Sequence, residues 1–290
     1  MKAYILSLNK EANLTDQWDF GFLKDFLDGN VWKTANWNDF EIVNCSKLEK
    51  AERAIVAIPA RHHKDLAAQV NKELNKIDNV VLILMGDEEA DFPVDQLKHN
   101  SLHIWVQNPH MEKHDEYNRI GTGYPTRMKQ YLPTYFSKEL DLFFSGQITH
   151  QRRQELAEAV ELVNCEYIFN RTNGFTQGYE PDEYYNKLCK ARFAPAPSGA
   201  VIPDSFRLFE ALECMAIPIA DQMNPKGIVM EYWDWLFKEI TPFPKTSNWF
   251  ELNNIIKSID YNELIEKQTA WWIRWKRNFA YKVMGQLYGN

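Results

Sequence analysis

The chain has 290 residues, 45% of them hydrophobic and 25% charged, with a formal net charge of −7. That composition belongs to a folded protein with room for two domains, not to a disordered segment. The acidic balance argues against general nucleic-acid binding, which needs basic surface to neutralise phosphates.

Taken in chain order, the first half alternates apolar runs with amphipathic stretches. Ala3–Leu8, Ala54–Pro59, Val80–Met85 and Leu102–Val106 are short apolar runs bounded by polar or turn residues, the pattern of buried parallel strands. "TDQWDFGFLKDFLDG" (Thr15–Gly29) predicts a helix with Trp18, Phe22 and Phe26 on one face, capped by Thr15 or Asp16 and ended by Gly29. "HHKDLAAQVNKELNKID" places Leu66, Ala67, Val70 and Leu74 at helical spacing between two strands, which is a βαβ unit. From His110 to Pro133 the pattern is polar and broken by Gly and Pro, so it reads as a connector.

A second alternating series follows. Strand Glu139–Gln147, helix His150–Val163, strand Glu166–Arg171, helix Glu180–Ala191 and strand Arg192–Pro197 lead into "PDSFRLFEALECMAIPIAD", a helix feeding a strand. The chain ends in a long aromatic helix, "NELIEKQTAWWIRWKRNFAYKVMGQL", expected to pack across both domains. The predicted fold is α/β with two Rossmann-like domains: residues 1–135, residues 136–262, and the C-terminal helix 263–290 returning to the first domain. Neither the N-terminal run nor any later stretch approaches the roughly 20 apolar residues of a membrane-spanning helix. The four scattered cysteines, Cys45, Cys165, Cys189 and Cys214, form no CxxC pair and read as reduced thiols. The expectation is a cytoplasmic protein, in which the sequon at Asn170 has no meaning.

Open α/β sheets bind ligands beyond the carboxyl ends of their strands. In "FFSGQITHQRRQEL", Ser145-Gly146 ends a strand, and Arg152 and Arg153 open the next helix. Glycine allows close backbone approach, and a helix N-terminus with arginine suits phosphate. A solvated Arg-Arg pair on an ordinary turn fits the spacing equally well. In "FAPAPSGAVIPDS", Ser198, Gly199 and Ala200 are candidates to offer backbone N–H groups, or simply a surface loop. Ser205 is placed to cap the next helix. Arg207 lies in that helix's first turn, where a cation is unfavourable without a nearby anion. Glu210 shares its face at i, i+3, as a ribose ligand or as one half of a surface ion pair.

Together these segments resemble the nucleotide-sugar-binding half of exostosin-like glycosyltransferases, of the two-domain GT-B class. The resemblance covers about Asp141 to Asp221. It rests on Gly146 with Arg153, then Tyr184 and Leu188, Phe193 with Pro197 and Gly199, and then Ser205, Arg207, Glu210, Ala211, Leu212, Ile217 and Pro218. It extends loosely to "LILMGDEE" and "WVQNP…GTGYP" in the first half. Met215-Ala216 stand where the family has Gly, and Ile202 breaks the E-x7-E of many retaining members.

The resemblance implies sugar transfer with inversion from a nucleoside diphosphate donor, UDP-linked, to a glycan or other hydroxyl acceptor. The donor would lie in the interdomain cleft. Arg153 and Arg207 would neutralise the diphosphate and Glu210 would hold the ribose, without a metal. An inverting transfer needs a general base. Asp87 and Glu88 of "GDEE" are the candidates, with His62 and His63 in reserve, and each also reads as a solvated loop residue. Asp87 and Glu89 alternatively form a DxD-like site for Mg²⁺ or Mn²⁺. His110 and His114 lack a third metal ligand. Trp37 and Trp105 are candidates to stack on an acceptor sugar. A nucleotide-sugar epimerase and a non-catalytic nucleotide-sugar-binding protein share the same sequence features.

Overall fold

The computed structural model describes residues 2–8, 18–27, 40–174 and 177–289. Eleven strands are described: β1 Lys2–Leu6, β2 Glu41–Cys45, β3 Ala51–Pro59, β4 Ile77–Met85, β5 Leu102–Gln107, β6 Asn118–Ile120, β7 Leu140–Gln147, β8 Tyr167–Thr172, β9 Ala191–Ala196, β10 Ile217–Asp221 and β11 Lys245–Thr246. The α-helices are α1 Gly21–Leu27, α2 Ala67–Leu74, α3 Met111–His114, α4 Met128–Tyr131, α5 Gln151–Val160, α6 Pro181–Lys190, α7 Phe206–Glu213, α8 Tyr232–Phe237, α9 Leu252–Ser258 and α10 Tyr261–Tyr288. Two compact units result, one of Met1–Thr126 with Arg274–Asn290 and one of Arg127–Ile273. Among the described residues, no helix is long and apolar enough to cross a membrane.

The first unit holds a parallel six-stranded sheet in the order β2-β1-β3-β4-β5-β6. Strands β3 and β4 are central and covered on both faces, which is why "AIVAIP" and "VVLILM" are unbroken apolar runs. Val56, Ile58, Leu82 and Leu84 pack with Val70 and Leu74 of α2. Phe22 and Phe26 of α1 instead meet Phe279 of α10 at ring distances of 5.6 and 4.9 Å. Phe279 also meets Trp105 at 4.9 Å, so Trp105 is a core residue with its indole N–H donated to Gln286. The predicted helix over Thr15–Gly29 is a 3-10 turn at Trp18–Phe20 followed by α1. Its proposed caps Thr15, Asp16 and Gly29 lie outside the described residues, as does Trp37.

The second unit holds a parallel five-stranded sheet in the order β11-β10-β9-β7-β8. Its core joins Leu142 and Phe144 of β7 with Leu156 and Val160 of α5, Ile217 and Ile219 of β10, and Trp249. Because β8 and β9 flank β7 on opposite sides, the topological switch lies between β7 and β9, where such sheets open a crevice. Among the described residues these strands pair at Leu140↔Ala191 and Leu142↔Phe193, although β7 continues to Gln147. Pro195 would come next in register, and a proline has no N–H to give the ladder. The ladder between the two strands therefore stops short of their carboxyl ends.

Helix α10 contributes to both units. Trp271 packs on Phe237 at 4.9 Å and on Phe243 at 5.8 Å in the second, and Trp275 stacks on Phe279 at 5.8 Å in the first. Helix α7 ends on Met215, whose φ of +53° is left-handed. Ala216 N–H closes back on the Ala211 carbonyl at 2.9 Å. This six-residue closure is the Schellman ending that favours glycine, which explains why Gly stands here in the resembled family.

Candidate anion-binding site at the ends of β7 and β9

Helix α7 sends Arg207 from its first turn back over β7. Nη2 and Nε donate to the Ser145 carbonyl at 2.8 and 3.3 Å, and the guanidinium lies 5.1 Å from the centre of the Phe144 ring. It presses flat on Gly146: a Cβ there would stand 2.0 Å from Nη2. Gly146 is therefore the space in which Arg207 lies. Helix α5 sends Arg153 to the same region. Its Nε and Nη2 donate to the Ser198 carbonyl at 3.3 and 3.2 Å, and its Nη1 to the Gln147 carbonyl at 3.1 Å. The two arginines thus occupy backbone carbonyls beyond the last paired residues of β7 and β9.

Neither guanidinium makes an ion pair among the described residues. Arg153 is 9% exposed. Burial first, and then the positive charge of Arg207, push its pKa down to about 9. Buried cations are normally paired, so buried Arg153, repelled by half-buried Arg207, sits in a region short of negative charge, with the Glu210 carboxylate acting on Arg207 alone of the two.

Arg152, the neighbouring residue, serves differently. Nη2 and Nε hold Asp221 at 2.8 and 3.2 Å, and Nη1 holds Glu155. Asp221, fully buried, also accepts from the backbone N–H groups of Ser198 and Met223. This pair ties α5 to β10 and the Ser198 loop and is satisfied within the protein.

The other expected ligands are also spoken for. Both oxygens of buried Glu210 accept from tyrosine hydroxyls, Tyr184 at 2.9 Å and Tyr185 at 2.8 Å. Burial lifts its pKa, opposed by Arg207 and by the two tyrosine hydrogen bonds. It cross-links α6 and α7 and does not present a carboxylate to a ribose. Ser205 has extended N-cap dihedrals but caps nothing, because its hydroxyl donates to the Pro197 carbonyl at 3.1 Å. The Ser198 and Gly199 N–H groups are not offered to a ligand either. Ser198 donates to Asp221, and Gly199 donates to the Ile202 carbonyl at 3.0 Å. Gly199 is required sterically, since a Cβ would fall 2.2 Å from the Asp204 carbonyl oxygen.

A cavity of about 590 Å³ adjoins the start of α5, lined by Gln151, Arg152, Glu155, Met223, Lys226 and Phe250 among others. That volume lies within the range of small-molecule sites.

In the first unit, buried Asp87 accepts the N–H groups of Asp91 and Phe92, each at 3.1 Å, and so staples the loop after β4. Each of its oxygens accepts one backbone N–H. Among the described residues no group of three or more His, Cys, Asp or Glu could hold a metal ion. Glu88 is exposed as a residue but its carboxyl is partly desolvated near Asp19, a residue the sequence reading did not single out. Desolvation first, and then the Asp19 charge, raise the pKa of Glu88, while Arg61 opposes. His62 is exposed. His63 is buried neutral, its Nε2 accepting Leu8 N–H at 2.9 Å and its Nδ1 meeting the Pro59 carbonyl at 2.9 Å. His114 Nδ1 accepts His110 N–H, and His110 Nε2 donates to the Glu88 carbonyl. No family model and no curated protein matches the chain.

Proposed function

We propose that this chain is a glycosyltransferase of the GT-B class, similar to the exostosin-like enzymes, that takes a sugar from a UDP-linked donor. The observation that carries the reading is the pair of guanidinium groups, Arg153 and Arg207, without ion-pair partners at the crevice between β7 and β9. A diphosphate supplies the missing negative charge, and arginine recognises phosphate oxygens with directed hydrogen bonds. As the sugar–phosphate bond breaks, charge grows on the leaving diphosphate. Fixed cations that need no reorganisation stabilise that charge. Glu210 acts as a positioning residue that holds α7, and therefore Arg207, against α6. Glu88 is the better candidate base of the two carboxylates considered, because Asp87 is engaged by backbone N–H groups. Its raised pKa moves it toward the range useful for taking a hydroxyl proton.

The test is incubation with a panel of UDP-sugars, with and without glycan acceptors, followed by product analysis. The reading expects UDP release that depends on acceptor. Sugar interconversion without acceptor would indicate an epimerase, and tight binding without any turnover a non-catalytic binder.

A further inference from the structure

His150 precedes α5 with the extended dihedrals of an N-cap, φ −155° and ψ 170°, yet its side chain caps nothing. Its Nε2 instead meets the Ser198 carbonyl at 3.1 Å. A carbonyl only accepts, so Nε2 carries the proton and Nδ1 is a bare acceptor. Nδ1 is buried and has no hydrogen-bond partner. The hydroxyl of fully buried Ser198 also has none. These two atoms sit where the charge deficit sits: the Ser198 carbonyl that receives His150 also receives Arg153 Nε and Nη2. Imidazole and guanidinium converge on a single oxygen. Buried polar atoms without partners are rare in folded proteins, and two on adjoining loops, one after β7 and one after β9, beside the unpaired Arg153 mark a place for a ligand.

The chemistry of the missing partner follows. A phosphate oxygen at neutral pH satisfies the arginines but has no proton to donate to Nδ1. Without a ligand the imidazole is neutral, because burial and the Arg153 charge hold its pKa down to about 4. A ligand with a donor close to its phosphates supplies the partner Nδ1 lacks, and a sugar hydroxyl is such a donor. We propose that His150 reads a sugar hydroxyl of a nucleoside-diphosphate ligand: its Nδ1 accepts that hydrogen bond while Arg153 and Arg207 neutralise the phosphates. This rests on the donor-binding reading above, and it assigns the hydroxyl contact to His150 in place of Glu210.

The experiment is calorimetric titration of wild type and His150→Ala with inorganic pyrophosphate, UDP and UDP-glucose, after circular dichroism establishes the fold. Pyrophosphate affinity is expected to be unchanged by the substitution. A ribose contact predicts a loss of about tenfold for both UDP and UDP-glucose, a contact to the transferred sugar the same loss for UDP-glucose alone. Equal losses for all three ligands would mean that His150 only shapes the loop. No loss for any would mean that an ordered water fills the place. Either result overturns the proposal. Should His150→Ala not fold, wild type carries the test with 2′-deoxy-UDP, 3′-deoxy-UDP and UDP-2-deoxyglucose. At least one must bind about tenfold more weakly than its parent, and parity for all three overturns the proposal. Pyrophosphate binding without hydroxyl preference removes only the His150 assignment. Failure of wild type to bind any of these ligands overturns the donor-binding reading and this inference with it.

Discussion

Gly146→Ala probes the site with one methyl group. The new Cβ would stand 2.0 Å from Arg207 Nη2 and 2.8 Å from Cζ, where ordinary contact begins at 3.4 Å. The guanidinium must retreat by about 1.4 Å, the difference between 3.4 and 2.0 Å. Its hydrogen bonds to the Ser145 carbonyl, at 2.8 and 3.3 Å, then stretch past bonding range. Hydrogen bonds from charged groups contribute about 1.5–3 kcal/mol, so a phosphate contact made from this pose should weaken by roughly 10- to 100-fold. Stability should fall by no more than about 1.5–3 kcal/mol, the worth of those hydrogen bonds. The obstacle is the end of a flexible side chain, and alanine in a strand recovers about 0.5–1 kcal/mol of backbone entropy. Urea unfolding measures the second effect and calorimetry with pyrophosphate the first. Arg207→Ala added to Gly146→Ala should cost no further affinity, because both remove one interaction. Full pyrophosphate affinity in a folded Gly146→Ala protein would refute the placement of Arg207. So would a loss of stability above about 4 kcal/mol, the mark of a buried structural network.

Three further outcomes are expected. Arg152→Ala should destabilise by about 3–5 kcal/mol, because it strands the fully buried Asp221 carboxylate; adding Asp221→Asn should recover part of that in the same urea assay. Glu210 has a folded pKa above its unfolded value, so the folded state holds the proton more tightly. Its contribution is full below the ordinary glutamate range and is lost as pH rises through the folded value. Stability of Glu210→Gln relative to wild type should therefore improve as pH rises above about 4.3, and a decline would contradict the raised pKa. Met215→Gly should raise stability by about 1 kcal/mol, since Met215 holds a left-handed φ of +53° with its side chain 41% exposed; a fall in Tm would contradict it.

Much of this architecture is visible in the residues themselves. Strands β3, β4 and β7 are apolar runs because each lies inside a parallel sheet, and burial on both faces removes alternation. Strands β2 and β6 lie at sheet edges, where "EIVNC" is half-exposed and "NRI" is too short to carry a pattern. Beyond Asp221, α8 and β11 occupy short, aromatic and proline-broken segments with no clear period. At the candidate site, Gly146, Arg153 and Arg207 stand out by spacing and residue type. What the letters do not carry is which side chains are already engaged. Arg152 and Arg153 are adjacent in sequence, but one meets a carboxylate and the other only carbonyls. Glu210 is paired with tyrosines 25 and 26 residues away on another helix. The carbonyls of Ser145, Gln147 and Ser198 belong to the backbone, which has no signature of its own. His150 had one available signal, its place immediately before the arginine-bearing helix.

The central claim, that Arg153 and Arg207 hold the diphosphate of a nucleotide donor, is tested most directly by titrating UDP into wild type, Arg153→Ala and Arg207→Ala by calorimetry. The account predicts that wild type binds and that each substitution weakens UDP by at least about tenfold while the protein stays folded. Wild-type protein that does not bind UDP, or folded variants that bind it as wild type does, would contradict it.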